Sequence, residues 1–294
     1  MSAPGTEQPE TPSPQRSFVL TRSVRMHRWI AGLLIRALRL NGANRFSNEF
    51  IQMLDPRLTV PLRQGGSLTF RTGHGRLLWR AQEAERMEPM MIHWLDRFRP
   101  GDCFYDVGAN IGTYALYAAL RGVTSFAFEP DFNNLQTLFE NIFLNNLGQL
   151  CTPVPIGVGD RTQLDTLFFR GLTKGDALLN VGQPSRYLDH TREQSYRVQI
   201  LVSRLDDLVT QFQLPKPTKM KIDVDGNELL VLQGAIRTLE TVDEVHIELD
   251  ESFSDHQAAK QLLLAQGFHE ACRETIPTSR SQSMANYLFS RNSS

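Results

Sequence analysis

Asp106 and Glu129 are the acids that first suggest chemistry in this chain. Asp106 lies near the end of a short apolar run, Cys103 to Val107, which leads straight into the turn Gly108-Ala-Asn110-Ile-Gly112 and then a helical stretch. A strand–turn–helix of this kind gathers backbone N–H groups and a helix N-terminus where open α/β sheets bind ligands. Glu129 ends the next run, Ser125 to Glu129. An acid at the end of the second strand, about twenty residues after the turn, can take both hydroxyls of a ribose. Asp160 follows a third run after Gly159 and is placed to accept from an adenine amino group. The three acids point to a nucleoside-bearing cofactor.

The turn narrows the choice. A dinucleotide site asks for Gly-x-Gly-x-x-Gly, whose second glycine lets a pyrophosphate approach the backbone. Here the glycines stand only at 108 and 112. Asp106 would also repel a phosphate. It suits a cation, such as the α-ammonium of S-adenosylmethionine, while the turn's N–H groups suit that molecule's carboxylate. The expected cofactor is S-adenosylmethionine.

The reacting end is expected after the fourth strand, Lys219 to Val224. Asp223 and Asp225 leave it one residue apart, on the same side by strand alternation. Paired acids there can hold a substrate hydroxyl, take its proton, or share a divalent metal. The next strand offers His246-x-Glu248-x-Asp250. His246 is a candidate general base by its ordinary pKa. A metal held by Asp223, Asp225 and His246 or Glu248 is a further option, although the spacing matches no ligand motif. Each acid also has a plainer reading. Glu129 can be a helix N-terminal charge, Gly159-Asp160 and Asp225-Gly226 ordinary turns, and His246 a satisfied strand histidine.

These residues need a scaffold, and from residue 102 the chain alternates strand and helix. The expected order is strand Cys103–Val107, helix Ile111–Leu120, strand Ser125–Glu129, helix Phe132–Asn145 and strand Thr152–Val158. After β segments at Leu164–Phe169 and Tyr196–Val202 come strand Lys219–Val224, helix Glu228–Leu239, strand Glu244–Leu249 and helix His256–Gln266. Two β runs close the chain near Phe268–Cys272 and Tyr287–Ser290. Repeated βα units predict a mostly parallel sheet with helices on both faces. The polar, glycine-bearing stretch 171–194 reads as a loop that closes over the substrate.

Ahead of this domain, residues 1–17 read as a disordered tail, by their Pro, Ser, Thr and Gln content. Residues 21–40 read as a basic amphipathic helix, either packed on the domain or touching an anionic membrane or polymer. Residues 58–80, with turns at Gly65-Gly66 and Gly73-His-Gly75, suggest a β-hairpin region, and Glu83 to Phe98 a helix. The expected division is 1–17 tail, 18–80 accessory region and 81–294 catalytic domain.

Composition sets the outer bounds. Lys plus Arg (31) balances Asp plus Glu (32), which argues against a nucleic-acid partner. Three scattered cysteines, Cys103, Cys151 and Cys272, argue against a disulfide scaffold or zinc site and fit a cytoplasmic protein. No apolar run has the length of a transmembrane span.

The chain resembles the FkbM family of S-adenosylmethionine-dependent methyltransferases. The resemblance rests on Asp102-Cys-Phe-Tyr-Asp-Val-Gly-Ala-Asn-Ile-Gly-Thr-Tyr114, Phe126-Ala-Phe-Glu-Pro130 and Asn141-Ile-Phe-Leu-Asn145, together with Leu205-Asp-Asp-Leu208 and Lys221-Ile-Asp-Val-Asp-Gly-Asn-Glu228. It implies a class I Rossmann-like fold, a seven-stranded sheet with an antiparallel last strand, and O-methylation of a hydroxyl on a sugar, polysaccharide or natural product. It implies cofactor contacts at Asp106, Gly108, Asn110, Gly112 and Glu129, with Asp223 near the donor methyl. The family often has Glu where this chain has Asp225, which shortens that arm. A nicotinamide-dependent oxidoreductase and a non-catalytic protein that keeps the fold are the rival readings. The missing dinucleotide fingerprint opposes the first and the intact acids oppose the second.

Overall fold

The computed structural model describes residues 55–291, apart from 74, 84–85, 87, 170, 178, 187–195, 276–280 and 282, with three isolated positions, Trp29, Leu33 and Arg36, before them. The expected tail at 1–17 lies outside the described residues. Of the expected helix at 21–40, only those three positions are described, each helical and exposed. The chain divides into units Met1–Asp55 and Pro56–Ser294, and all the described strands belong to the second. No helix among the described residues is long and apolar enough to cross a membrane.

The elements run β1 (Arg57–Pro61), β2 (Ser67–Arg71), α1 (Gly75–Glu83), α2 (Pro89–Leu95), β3 (Cys103–Val107), α3 (Thr113–Leu120), β4 (Thr124–Phe128), α4 (Phe132–Leu144), β5 (Cys151–Val154) and β6 (Gly157–Val158). Then come β7 (Gln163–Phe169), β8 (Asn180–Val181), β9 (Tyr196–Ser203), α5 (Leu205–Gln211), β10 (Lys219–Ile222), α6 (Glu228–Gln233), a 3-10 turn (Thr238–Thr241), β11 (Glu244–Asp250), α7 (Ser254–Ala265), β12 (His269–Thr275) and β13 (Met284–Ser290). Among the described residues, seven strands form the main sheet in the order β12-β13-β11-β10-β3-β4-β5. The strands from β11 to β5 are parallel, and β13 runs antiparallel between β11 and β12. This is the expected Rossmann-like α/β architecture.

Strand alternation divides the core into two apolar layers. Phe104 faces one layer with Met91, Trp94, Leu116 and Leu138. Its neighbour Tyr105 faces the other with Phe128, Ile222, Ile247 and Phe289. The central strands are therefore buried on both faces, as a parallel sheet under two helical layers requires.

Several boundaries differ from expectation, three of them for a local reason. The helix expected over 83–98 is shorter, Pro89–Leu95, because proline is disfavoured inside a helix and suits its first turn, where Pro89 opens α2. The turn at Gly73–Gly75 leads into α1 rather than a strand. The strand expected over 152–158 breaks at Pro155, and Gly157–Val158 joins a second sheet, ordered β6-β9-β7-β8. Proline has no N–H to continue the first ladder.

The β1–β2 hairpin packs on α4 through two asparagines one helical turn apart. Asn145 accepts from Thr69 N and donates to Thr69 O, both at 2.8 Å, and Asn141 accepts from Arg71 N at 2.8 Å. The Asn141–Asn145 motif thus supplies edge pairing to β2, which would otherwise carry open amides.

Candidate active site

A cavity of about 350 Å³ opens at the carboxyl ends of β3, β4 and β10, roofed in part by the second sheet. One half is mostly apolar, with Phe128, Ile156, Val158 and Leu179 around Glu129. The other half carries Tyr114, Lys221, Asp223, Asp225, Glu88 and Glu248.

Glu129 lines the cavity with its carboxylate fixed in place. Its two oxygens accept from Asn110 N at 2.8 Å and Asp131 N at 2.9 Å, which fixes the carboxylate while leaving lone pairs toward the cavity. Burial, opposed by these hydrogen bonds, pushes its carboxyl up to about 7. Asn110 sits at φ 52°, and its Oδ1, buried in the wall, has no hydrogen-bond partner among the described residues. The turn beside it has no room for a side chain at 108. A Cβ on Gly108 would lie 1.9 Å from Asp223 O, so the glycine brings the turn directly against the end of β10.

The turn's amides are less free than the sequence implies. Gly108 N and Ala109 N both donate to Phe128 O at 3.0 Å, and Gly112 N donates to Ala109 O at 2.8 Å. Gly112 is the left-handed N-cap of α3, packed so closely that a Cβ would meet Leu138 at 2.3 Å. It shapes the turn and is not part of the wall.

Asp106 corrects the expectation of a direct cofactor contact. It is fully buried behind the wall. One oxygen accepts from Ala115 N at 3.2 Å and the other faces Lys221 Nζ at 3.3 Å. Burial raises its carboxyl pKa, and Lys221 opposes the rise. Lys221 also donates to Gly108 O at 3.1 Å and pairs with Asp223 Oδ2 at 3.2 Å. Burial alone would lower the lysine's pKa, but Asp223, Asp106 and Glu88 raise it above its ordinary value. A permanent cation therefore ties the glycine turn to Asp223.

The other predicted residues divide. Asp223 and Asp225 both line the cavity, Asp225 in a left-handed conformation at φ 57°. Asp160 lies outside the wall and pairs with Arg161 at 3.4 Å. His246 is buried outside the cavity, stacked on Trp94 with centroids 5.6 Å apart. Burial, then the charge of Lys221, lowers its pKa to about 3, so it is neutral and out of reach of a substrate. Among the described residues no group of three or more His, Cys, Asp or Glu is arranged to hold a metal ion, and the metal option has no support.

Sequence reasoning did not nominate Lys221, Glu88 or Tyr114. Lys221 had a signal: a lysine between Met220 and Ile222 in an apolar strand needs a buried partner, and parallel register sets it beside Asp106. Glu88 had one as well, since the residue before a helix-opening proline stands at the N-terminal rim.

The stretch from 171 to 186 covers this site at its described positions. Gly175 N donates to Asn134 Oδ1 at 2.8 Å, and Arg80 Nε donates to Gly175 O at 2.7 Å. Further along, Asn180 bonds Asn227 and donates to Asp225 O at 3.4 Å, and Arg186 donates to Gly226 O at 3.2 Å. Asp176, Ala177, Leu179 and Val181 between these anchors face the cavity.

The sequence profile of the methyltransferase FkbM domain matches residues 106–270, more than half of the chain. The chain belongs to the FkbM methyltransferase family. Hexuronic acid methyltransferase AglP of Haloferax volcanii is 26% identical over 188 residues, covering 63% of this chain and 71% of the relative. The 31-O-demethyl-FK506 methyltransferase FkbM of Streptomyces tacrolimicus is 28% identical over 223 residues, covering 66% and 84%. A crystal structure of methyltransferase FkbM from Methylobacillus flagellatus is 19% identical, with a TM-score of 0.42, over 65% of this chain and 44% of that one. The FkbM match begins at Asp106, so Trp79, Arg80 and Glu88 in the cavity wall lie outside the shared domain.

Proposed function

We propose that this FkbM-family protein is an S-adenosylmethionine-dependent O-methyltransferase acting on a hydroxyl of a sugar, polysaccharide or natural product. The observation that carries the reading is Asp223, which lines the cavity beside the Gly108 turn with one carboxylate oxygen pinned by Lys221. A carboxylate fixed in this way can orient an acceptor hydroxyl and take its proton. When bound, the cofactor supplies a methyl group on a positively charged sulfur. Glu129 would hold its ribose, and the apolar half of the cavity its adenine. Asn110 Oδ1, on the cavity wall, is a better partner than the fully buried Asp106 for its ammonium. Asp225, on the same rim, would help to position the acceptor. The relatives support the acceptor class, since their names specify a hexuronic acid and a 31-O-demethyl compound.

Calorimetry with S-adenosylhomocysteine, and NADH as the parallel ligand, tests the cofactor. Saturable binding of the first alone is expected, and binding of NADH alone would return the oxidoreductase reading. Transfer of labelled methyl to a glycan panel, abolished by Asp223→Asn with S-adenosylhomocysteine affinity retained, is the expected result for the acceptor step. Full turnover in that variant would remove Asp223 from the chemistry.

A further inference from the structure

Glu88 enters the site from the start of α2, ahead of the shared domain. The Tyr114 hydroxyl hydrogen-bonds its carboxyl, and the charges of Asp223, Lys221 and Arg80 act on it. Asp223, Asp225 and Glu248 line the same end of the cavity. The local cations do not offset them fully. The Lys221 ammonium is engaged by Asp106, Asp223 and Gly108 O, and Arg80 turns its Nε to Gly175 O. Burial, then Asp223, pushes the Glu88 carboxyl up to about 7. Burial, then Asp223, Asp225 and Glu88, raises Glu248 well above its ordinary value. Acids that resist ionisation through burial first and one another's charge second are poised to accept a positive group.

We propose that Glu88, with Asp223 and Glu248, makes this end of the cavity charge-selective, so that it holds a cationic cofactor and releases its neutral product. The inference rests on the cofactor reading above. As the methyl passes to the acceptor oxygen, the carbon–sulfur bonding pair stays on sulfur and the hydroxyl proton goes to Asp223. The ligand's positive charge at this end is lost, and the attraction of Glu88 and Glu248 for it is lost as well. The wall itself thereby favours product departure.

The full chain is titrated by calorimetry at about pH 8 with two probes that share adenosine and the amino-acid end. S-adenosylhomocysteine is neutral at the reacting position, and sinefungin carries an ammonium there. On the order of tenfold tighter binding of sinefungin is expected, the size of one charge pair in a partly buried site. Glu88→Gln should shrink that preference about fivefold while S-adenosylhomocysteine affinity stays within about threefold, and Glu88→Asp should keep it. Lowering the pH from about 8 to about 6 should shrink the preference more in the native chain than in Glu88→Gln, where Glu248 alone of the two raised acids is left to take up a proton. Titration of Glu129 cancels in the ratio, because both probes carry the same ribose. Equal binding of the two probes, or an unchanged preference in Glu88→Gln, overturns the proposal. Failure of S-adenosylhomocysteine to bind at all overturns the cofactor reading, and the selectivity with it.

Discussion

Lys221 and Asp106 face each other at 3.3 Å with side chains 3% and 0% exposed, and the lysine's other contacts lead to the cavity. A buried carboxylate behind the wall thus supports a buried cation in the wall. Lys221→Met leaves Asp106 without its counter-charge, and loss of one partner of such a pair costs about 3–5 kcal/mol. The loss has a pH sign. Burial already raises the Asp106 pKa, and removing the lysine raises it further. The folded chain then holds the proton more tightly than the unfolded one, so stability falls as pH rises above the ordinary aspartate value. Urea unfolding should show a larger deficit at about pH 8 than at about pH 5, and Asp106→Asn added to Lys221→Met should recover much of it. A deficit independent of pH would mean that lost packing, and not the charge, is responsible.

Glu129 gives the empty site a titration near 7. A ribose diol donates to the ionised form, so binding must expel the proton that the site retains below that value. S-adenosylhomocysteine affinity should fall as the pH drops below about 7, approaching tenfold per unit, and level off above it. Glu129→Gln should bind more weakly and without that slope. The same slope in the variant would place the titrating group elsewhere.

The parts legible in the sequence were those written by local rules. Strand β3, the turn and α3 follow from an apolar run, two glycines and a helix start, and Glu129 follows from its place after β4. What escaped depends on contacts between distant segments. Asp106 looked like a ligand contact because nothing in its own segment shows Lys221 lying across the sheet. His246 looked catalytic because strand alternation places it with Glu248 and Asp250 but does not show which layer covers it, and Trp94 does. The end of α6 at Gly234 is likewise tertiary: a Cβ there would lie 1.9 Å from Gly159 O, so the helix meets another loop and stops short of Leu239.

The Leu205–Leu208 motif contains two neighbouring acids with unequal roles. Asp206 is buried and accepts from Thr238 N and Thr238 Oγ1 at 2.8 Å and from Arg237 N at 3.2 Å, holding the 3-10 turn that leads into β11. Asp207 is half-exposed and accepts from Thr162 Oγ1 at 2.7 Å. Asp206→Ala orphans buried donors and should cost about 3 kcal/mol, whereas Asp207→Ala should cost less than about 1 kcal/mol. Urea unfolding of the two variants side by side checks the contrast, and similar losses would remove the capping role of Asp206.

Asn180 joins the cover of the cavity to the rim that carries Asp225. It is fully buried, bonds Asn227 and donates to Asp225 O, while Asn227 also donates to Val181 O at 3.1 Å. Asn180→Ala removes the first two ties and leaves the third, so the second sheet keeps a tether while the cover loosens. One or two lost hydrogen bonds correspond to on the order of tenfold in an equilibrium. Because a cover that shields a bound ligand acts mainly on its escape, the change should appear in dissociation: S-adenosylhomocysteine should leave about ten times faster, with its association rate little altered. Backbone amides between 175 and 182 should exchange with solvent faster in the same variant, marking the segment that opens. If thermal stability falls while dissociation and exchange keep their native rates, Asn180 supports the fold only, and the stretch above the cavity is a fixed wall and not a lid.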